Sequence, residues 1–163
     1  MKTTVPFHKE MLKIEDVEGF VGSLCKKIKT DVHTTLRRKG GIVGVSGGID
    51  SSVTLALAVR ALGKDRVLAL LMPEKDSSPD SLEYAKLLAD HLGVDYLVED
   101  ITPVLEGFQC YPRRDAAVKR VFPNYDGDRH RFKIGMNRSS IETGLPSLFY
   151  LTLVSENGQE YQK

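Results

Sequence analysis

The chain has 163 residues, 41% of them hydrophobic, enough to bury one core and too few for two full domains. Its formal charge of +1 gives no electrostatic reason to expect a nucleic acid or a membrane surface as partner. It contains no run of about 18 apolar residues, and Met1–Glu10 lacks the apolar centre of a secretion signal, so a cytoplasmic protein is expected.

Residues 1–13 read as a flexible leader. From Ile14 onward, Ile14, Val17, Val21, Leu24 and Ile28 recur at helical spacing, with Phe20 on the flank. The spacing predicts an amphipathic helix reaching about Arg38, with Cys25 as a core filler. Arg37, Arg38 and Lys39 suit a helix C-terminus as a solvated end, and Gly40-Gly41 would stop it. Gly41–Val45 is a short β-branched run that predicts a buried parallel strand. Val53–Leu62 is almost wholly apolar and predicts a buried helix closed by Gly63. Arg66–Met72 predicts a second buried strand, stopped by Pro73. Ser78-Pro79-Asp80 reads as a cap followed by a first-turn proline, opening a helix that runs to Leu92 and stops at Gly93. Val94–Ile101 predicts a third strand. Alternation of strands and helices at this spacing implies an α/β fold with a doubly wound parallel sheet, and ligands bind such sheets beyond the carboxyl ends of the strands.

Beyond residue 103 the pattern weakens. Pro103–Phe108 predicts a helical turn, with Cys110 at a helix end. Asp115–Phe122 predicts a short helix, and Arg113, Arg114, Lys119 and Arg120 read as a solvated basic face in preference to a phosphate-facing one. Residues 123–147 are polar and punctuated by Gly and Pro, with no clear period. Leu148–Val154 predicts a strand, and Asn157-Gly158 predicts a hairpin turn into a returning strand near Gln159. The expected organisation is therefore an α/β domain over 14–122, then an irregular segment and β-hairpin over 123–163. Two distant cysteines fit neither a disulfide scaffold nor a zinc site, and His33, His91 and His130 have no ligand spacing and read as surface residues.

The run Gly44-Val45-Ser46-Gly47-Gly48-Ile49-Asp50-Ser51-Ser52 carries the chemistry. It lies between the first strand and the second helix, where glycines admit a ligand close to the backbone and a helix N-terminus attracts phosphate oxygens. A Walker loop needs Lys before its last hydroxyl residue, and here Asp50 stands before Ser51. An aspartate beside phosphates repels them unless a divalent cation lies between, so Asp50 implies Mg²⁺ held by carboxylate and phosphate together. The plainer alternative is a Gly/Ser turn with Asp50 and Ser51 as helix caps.

The arrangement S-G-G-x-D-S-S between strand and helix resembles the loop of the ATP pyrophosphatase (PP-loop) superfamily, whose fold is Rossmann-like, of the adenine nucleotide alpha hydrolase kind. Leu71-Met72-Pro73, then Ser77-Ser78 and Asp80, with Ala85, Leu88-Ala89 and Leu92-Gly93 following, narrows the resemblance to ammonia-dependent NAD synthetase over residues 14 to about 108. The resemblance implies a ligase that uses ATP and Mg²⁺ to adenylate the carboxylate of deamido-NAD. Ammonia then displaces AMP to give NAD, and pyrophosphate is released. It implies that Ser46, Gly47, Gly48, Ile49, Ser51 and Ser52 form the ATP loop. Of these, Ser46, Gly48, Ser51 and Ser52 hold the pyrophosphate portion, Asp50 ligates the metal, and the strand near Leu71 and Met72 packs on adenine. No side chain of this half is expected to act as an acid or base. Ser77, Ser78 and Asp80 read equally as caps of the third helix or as substrate contacts. Members of that family are longer and homodimeric, so the segment ending in the hairpin reads as an insertion before a missing second half, and the chain alone as potentially inactive. The loop alone is shared with other adenylating enzymes of that superfamily, so one acting on a nucleotide or tRNA is the alternative reading, and a non-catalytic ATP-binding remnant a further one.

Overall fold

The computed structural model describes residues 8–136 and 149–163, and the chain divides into two compact units at Thr102 and Pro103. In the first unit, strands β1 (Gly41–Gly44), β2 (Val67–Leu71) and β3 (Tyr96–Val98) form a parallel sheet in the order β1-β2-β3. Helix α2 (Ile49–Leu62) connects the first pair and α3 (Pro79–Leu92) the second, giving the expected α/β sheet. Pairing with β2 continues past β3, because the Glu99 and Ile101 N–H groups donate to the Leu71 and Pro73 carbonyls. The short strand therefore reports where β geometry ends, while the ladder runs on toward the length expected.

Both helices cover the same side of this sheet. Val45, Val67, Ala69 and Leu71 pack there against Leu55 and Ala58 of α2 and Ala85 and Ala89 of α3 in one core. Small alanines let the helices approach closely, and β-branched or leucine side chains fill the sheet side. On the other side Ile42 is 67% and Leu97 56% exposed.

Helix α1 (Val17–Thr30) packs on α2, with the Cys25 Sγ 3.9 Å from the Leu57 carbonyl. Asp16 caps it, accepting from the Gly19 N–H at 2.8 Å. The helix ends earlier than its periodicity predicts. A π-helical turn, Asp31–Thr35, follows it, and Arg37 adopts a left-handed φ of 52°. The Arg38 N–H then closes on the Val32 carbonyl at 2.8 Å, so Arg37 terminates the helix where Gly40-Gly41 had been expected to. His33, expected at the surface, is half-buried, with Nδ1 2.9 Å from the Arg38 carbonyl. Of the expected leader, residues 1–7 lie outside the described residues, and Lys9–Leu12 form a 3₁₀ turn.

The second unit is built differently. After the short helix α4 (Thr102–Gly107), which spans the division, α5 runs over Cys110–Val121. It starts five residues before the predicted Asp115, and Cys110 opens this helix as an exposed residue. Strands β4 (His130–Met136), β5 (Phe149–Ser155) and β6 (Glu160–Gln162) form an antiparallel sheet in that order. Strand β4 corrects the irregular reading of 123–147: Phe132, Ile134 and Met136 alternate with Arg131, Lys133 and Gly135, and all seven residues pair with β5. Residues 137–148, including the expected start of the next strand at Leu148, lie outside the described residues. The expected hairpin is present as β5 and β6, so the sheet has three strands rather than two. Val118, Phe122, Tyr125 and Leu153 form its core.

Candidate functional site

The loop from Ser46 to Gly48 leaves the carboxyl end of β1 and enters α2 through Gly48, the N-cap residue. Asp50 and Ser51 thus stand inside the first turn, not before it, which removes the capping alternative for both. The helix starts at Ile49, four residues earlier than its apolar run suggests.

Four hydrogen bonds hold the loop in a closed ring. The Ser46 N–H donates to Ser51 Oγ at 3.2 Å, and the two hydroxyls lie 3.1 Å apart. Ser51 Oγ donates to the Gly48 carbonyl at 3.0 Å, and the Gly48 N–H points to Ser46 Oγ at 3.4 Å. Among the described residues, the first-turn N–H groups of Ile49, Asp50 and Ser51 have no hydrogen-bond partner. Three aligned donors at the positive end of a fourteen-residue helix form an anion-binding arrangement. The Ile49 side chain is 79% exposed.

Gly47 fixes this loop from behind. Its φ is +77°, and a Cβ there would meet the Ser81 carbonyl oxygen at 2.3 Å. The loop therefore lies directly on the first turn of α3, backbone against backbone. Beside it, Ser46, Leu71, Met72, Pro73, Ser77 and Ser78 line a small cavity of about 140 Å³. Leu71 is only 1% exposed, its side chain committed to the core, whereas Met72 is 46% exposed. Of the pair expected to pack on adenine, only Met72 carries an exposed side chain.

The serines of the following loop divide their roles. Ser77 Oγ accepts from the Glu74 N–H at 3.1 Å and stabilises the turn after Pro73. Ser78 occupies the N-cap position of α3, yet its hydroxyl makes no capping bond, and Asp80 lies in the first turn. Ser81, absent from the sequence-based site, matters through its carbonyl. Nothing in side-chain chemistry announces such a contact; the signal lay in the glycine opposite.

The sequence profile of the NAD synthase family matches residues 20–142. The chain belongs to the NAD synthase family. The NH3-dependent NAD+ synthetase of Rhizobium meliloti is 43% identical over 122 residues, 73% of this chain and 35% of that protein. That of Methanocaldococcus jannaschii is 48% identical over 98 residues, 60% of this chain and 38% of that protein. The solved NH3-dependent NAD synthetase of Campylobacter jejuni, in complex with the nitrate ion, aligns with a TM-score of 0.52 at 34% identity. That alignment covers 56% of this chain and 39% of that structure. The chain thus spans little more than a third of the length of the NAD synthases it matches.

The donor set also bears on Mg²⁺. Among the described residues, no three His, Cys, Asp or Glu side chains gather as a cation site. A lone carboxylate at a phosphate loop fits Mg²⁺ nonetheless, because that ion commonly takes one or two carboxylates and completes its shell with phosphate oxygens and water. No helix among the described residues is long and apolar enough to cross a membrane.

Proposed function

We propose that this chain supplies the ATP-pyrophosphate portion of an NAD synthetase site, for ATP-dependent amidation of deamido-NAD to NAD through an adenylated carboxylate. The observation that carries this reading is the set of unpartnered N–H groups at Ile49, Asp50 and Ser51, behind the Ser46-Gly47-Gly48 turn, in a chain of this family. Ser46, Gly47, Gly48, Ile49 and Ser51 hold the pyrophosphate portion, and Ser52 shapes the loop. Asp50 is the Mg²⁺ ligand, and the ion neutralises charge on the phosphates when bound. Met72, with Leu71 supporting the strand beneath it, forms the adenine side.

A carboxylate resists ammonia until its oxygen becomes part of a good leaving group, which adenylation provides. The work of this loop is electrostatic: fixed N–H dipoles oppose the charge that develops on departing pyrophosphate. No side chain of the loop has to move a proton. Substrates in this reading are ATP, deamido-NAD and ammonia, the location is cytoplasmic, and the assembly is a homodimer.

The test has two stages. Mg·ATP should raise the melting temperature of the chain, and Asp50→Ala should abolish the rise. With deamido-NAD and ammonia added, AMP and NAD should appear in equal amounts. A melting shift without AMP favours an ATP-binding remnant, as the one-third coverage of the relatives would allow. AMP release stimulated by a nucleotide or tRNA instead of deamido-NAD favours a different PP-loop enzyme. No shift with either protein defeats the reading.

A further inference from the structure

Ser52 is the last hydroxyl of the S-G-G-x-D-S-S run, and its side chain does not join the outward-facing donors. It donates to the Gly48 carbonyl at 2.8 Å. The same carbonyl accepts the Ser52 N–H at 3.1 Å and the Ser51 hydroxyl at 3.0 Å. Three donors converge on one oxygen that has two lone pairs.

That crowding has a directional consequence. The Gly48–Ile49 peptide is planar, so its N–H points opposite to its C=O. Drawing the carbonyl into the helix aims the Ile49 N–H out of the helix start, toward an anion seated there. Gly48 has no Cβ to restrict its own backbone, so this plane needs an external hold.

The two hydroxyls differ in how firmly they provide it. Ser51 Oγ also belongs to the ring with Ser46, and a phosphate oxygen reaching that ring competes for its proton. The Ser52 bond is an i−4 contact within the helix and shares nothing with Ser46. Thr54 makes the same bond to the Asp50 carbonyl at 2.8 Å, so the helix repeats the device two residues further on.

We propose that Ser52 is a positioning residue, which holds the Gly48–Ile49 peptide plane so that the Ile49 N–H meets the polyphosphate, and is not itself a phosphate ligand. This role rests on the pyrophosphate-loop reading above. It departs from the family-based expectation that all the loop hydroxyls touch phosphate.

A double-mutant cycle on the full chain tests it, with Mg·ATP and inorganic pyrophosphate titrated by calorimetry. Ser52→Ala should weaken both ligands by about fivefold to tenfold, the loss expected for one hydrogen bond near a charged ligand. Ser52→Thr keeps the hydroxyl and should stay within about twofold of the unmodified chain. The second arm replaces Ile49 by its α-hydroxy-acid analogue, which deletes the N–H. In that background Ser52→Ala should cost less than about twofold more, because the group it orients is gone. An undiminished loss in the ester background would mean direct phosphate contact and overturn the proposal, as would Ser52→Ala binding normally. A chain that binds neither anion before any change defeats the pyrophosphate-loop reading itself, and the role of Ser52 with it.

Discussion

Two glycines set the units of this molecule against each other. A Cβ on Gly47 would strike the Ser81 carbonyl at 2.3 Å, and a Cβ on Gly135 would strike the far end of the Tyr150 ring at 2.4 Å. The clearances are almost equal and their meaning is not. At Gly47 the obstacle is backbone, held by the first turn of α3, and φ is +77°. At Gly135 the obstacle is a phenol that can rotate about χ1 and χ2, and φ is not in the left-handed region. The parallel unit fixes its loop by main chain on main chain, while the antiparallel unit fills space with a movable ring.

Gly47→Ala is the sharpest way to break that contrast. Strain in the left-handed region and a contact that cannot yield should together cost about 4 kcal/mol in urea denaturation. A loss below about 1 kcal/mol would mean that the Ser81 backbone gives way, and the contrast would collapse.

The cores should differ less than the glycines. Leu55 is fully buried between α2 and the parallel sheet, and Leu153 is 6% exposed beneath α5. Leu55→Ala should cost about 3 kcal/mol and Leu153→Ala about 2–3 kcal/mol, within the usual range for a leucine cavity. Hydrogen exchange should place the lost protection on the β1–β3 sheet for the first substitution and on the β4–β6 sheet for the second. Protection lost on the opposite sheet in either case would contradict the division into units.

What the sequence made legible follows the same boundary. In the parallel unit, strand β2 and helix α3 are local patterns: an unbroken apolar run stopped by Pro73, and a proline-led helix stopped by Gly93 at φ 64°. The turn between β1 and α2 was legible because glycines and hydroxyls at fixed offsets state their own geometry. The start of α2 was not, since Asp50-Ser51-Ser52 is polar, Ile49 and Asp50 are exposed, and the run looks like a continuation of the loop. Nor was the early end of α1, where Arg37 takes a conformation usually left to glycine. In the antiparallel unit, β4 depends on pairing with β5 across residues 137–148. Its period-two signal is present in Phe132, Ile134 and Met136, but short and set among charges. The Ser81 carbonyl was invisible for a different reason: a backbone contact leaves no trace in the residue that makes it.

Gly135→Ala then sharpens the comparison from the other side. Tyr150 should swing aside at a cost of about 1 kcal/mol, the range of a modest off-rotamer shift or small overpacking. Near-ultraviolet circular dichroism should report the changed tyrosine environment while the sheet persists. A cost as large as that of Gly47→Ala would show the ring to be as immovable as a carbonyl.

The smallest effect concerns how α1 is tied to α2, and it depends on pH. Arg60 of α2 bonds both carboxylate oxygens of Glu18, Nη1 to Oε2 at 3.4 Å and Nη2 to Oε1. That hydrogen bonding, and then the guanidinium charge, holds the Glu18 carboxyl below its ordinary value of 4.5, against a slight opposing effect of desolvation. A carboxyl whose pKa is depressed on folding binds fewer protons folded than unfolded near that value. Its contribution is therefore complete above 4.5 and fades as the pH falls through the lower, folded value. Both side chains are substantially exposed, so salt should weaken the pair. The urea midpoint of Glu18→Gln should lie slightly below that of the unmodified chain at neutral pH, with the gap closing in acid and in about 1 M salt. A gap that persists at pH values well below 4.5 would assign the effect of Glu18 to packing or to the α1 dipole rather than to Arg60.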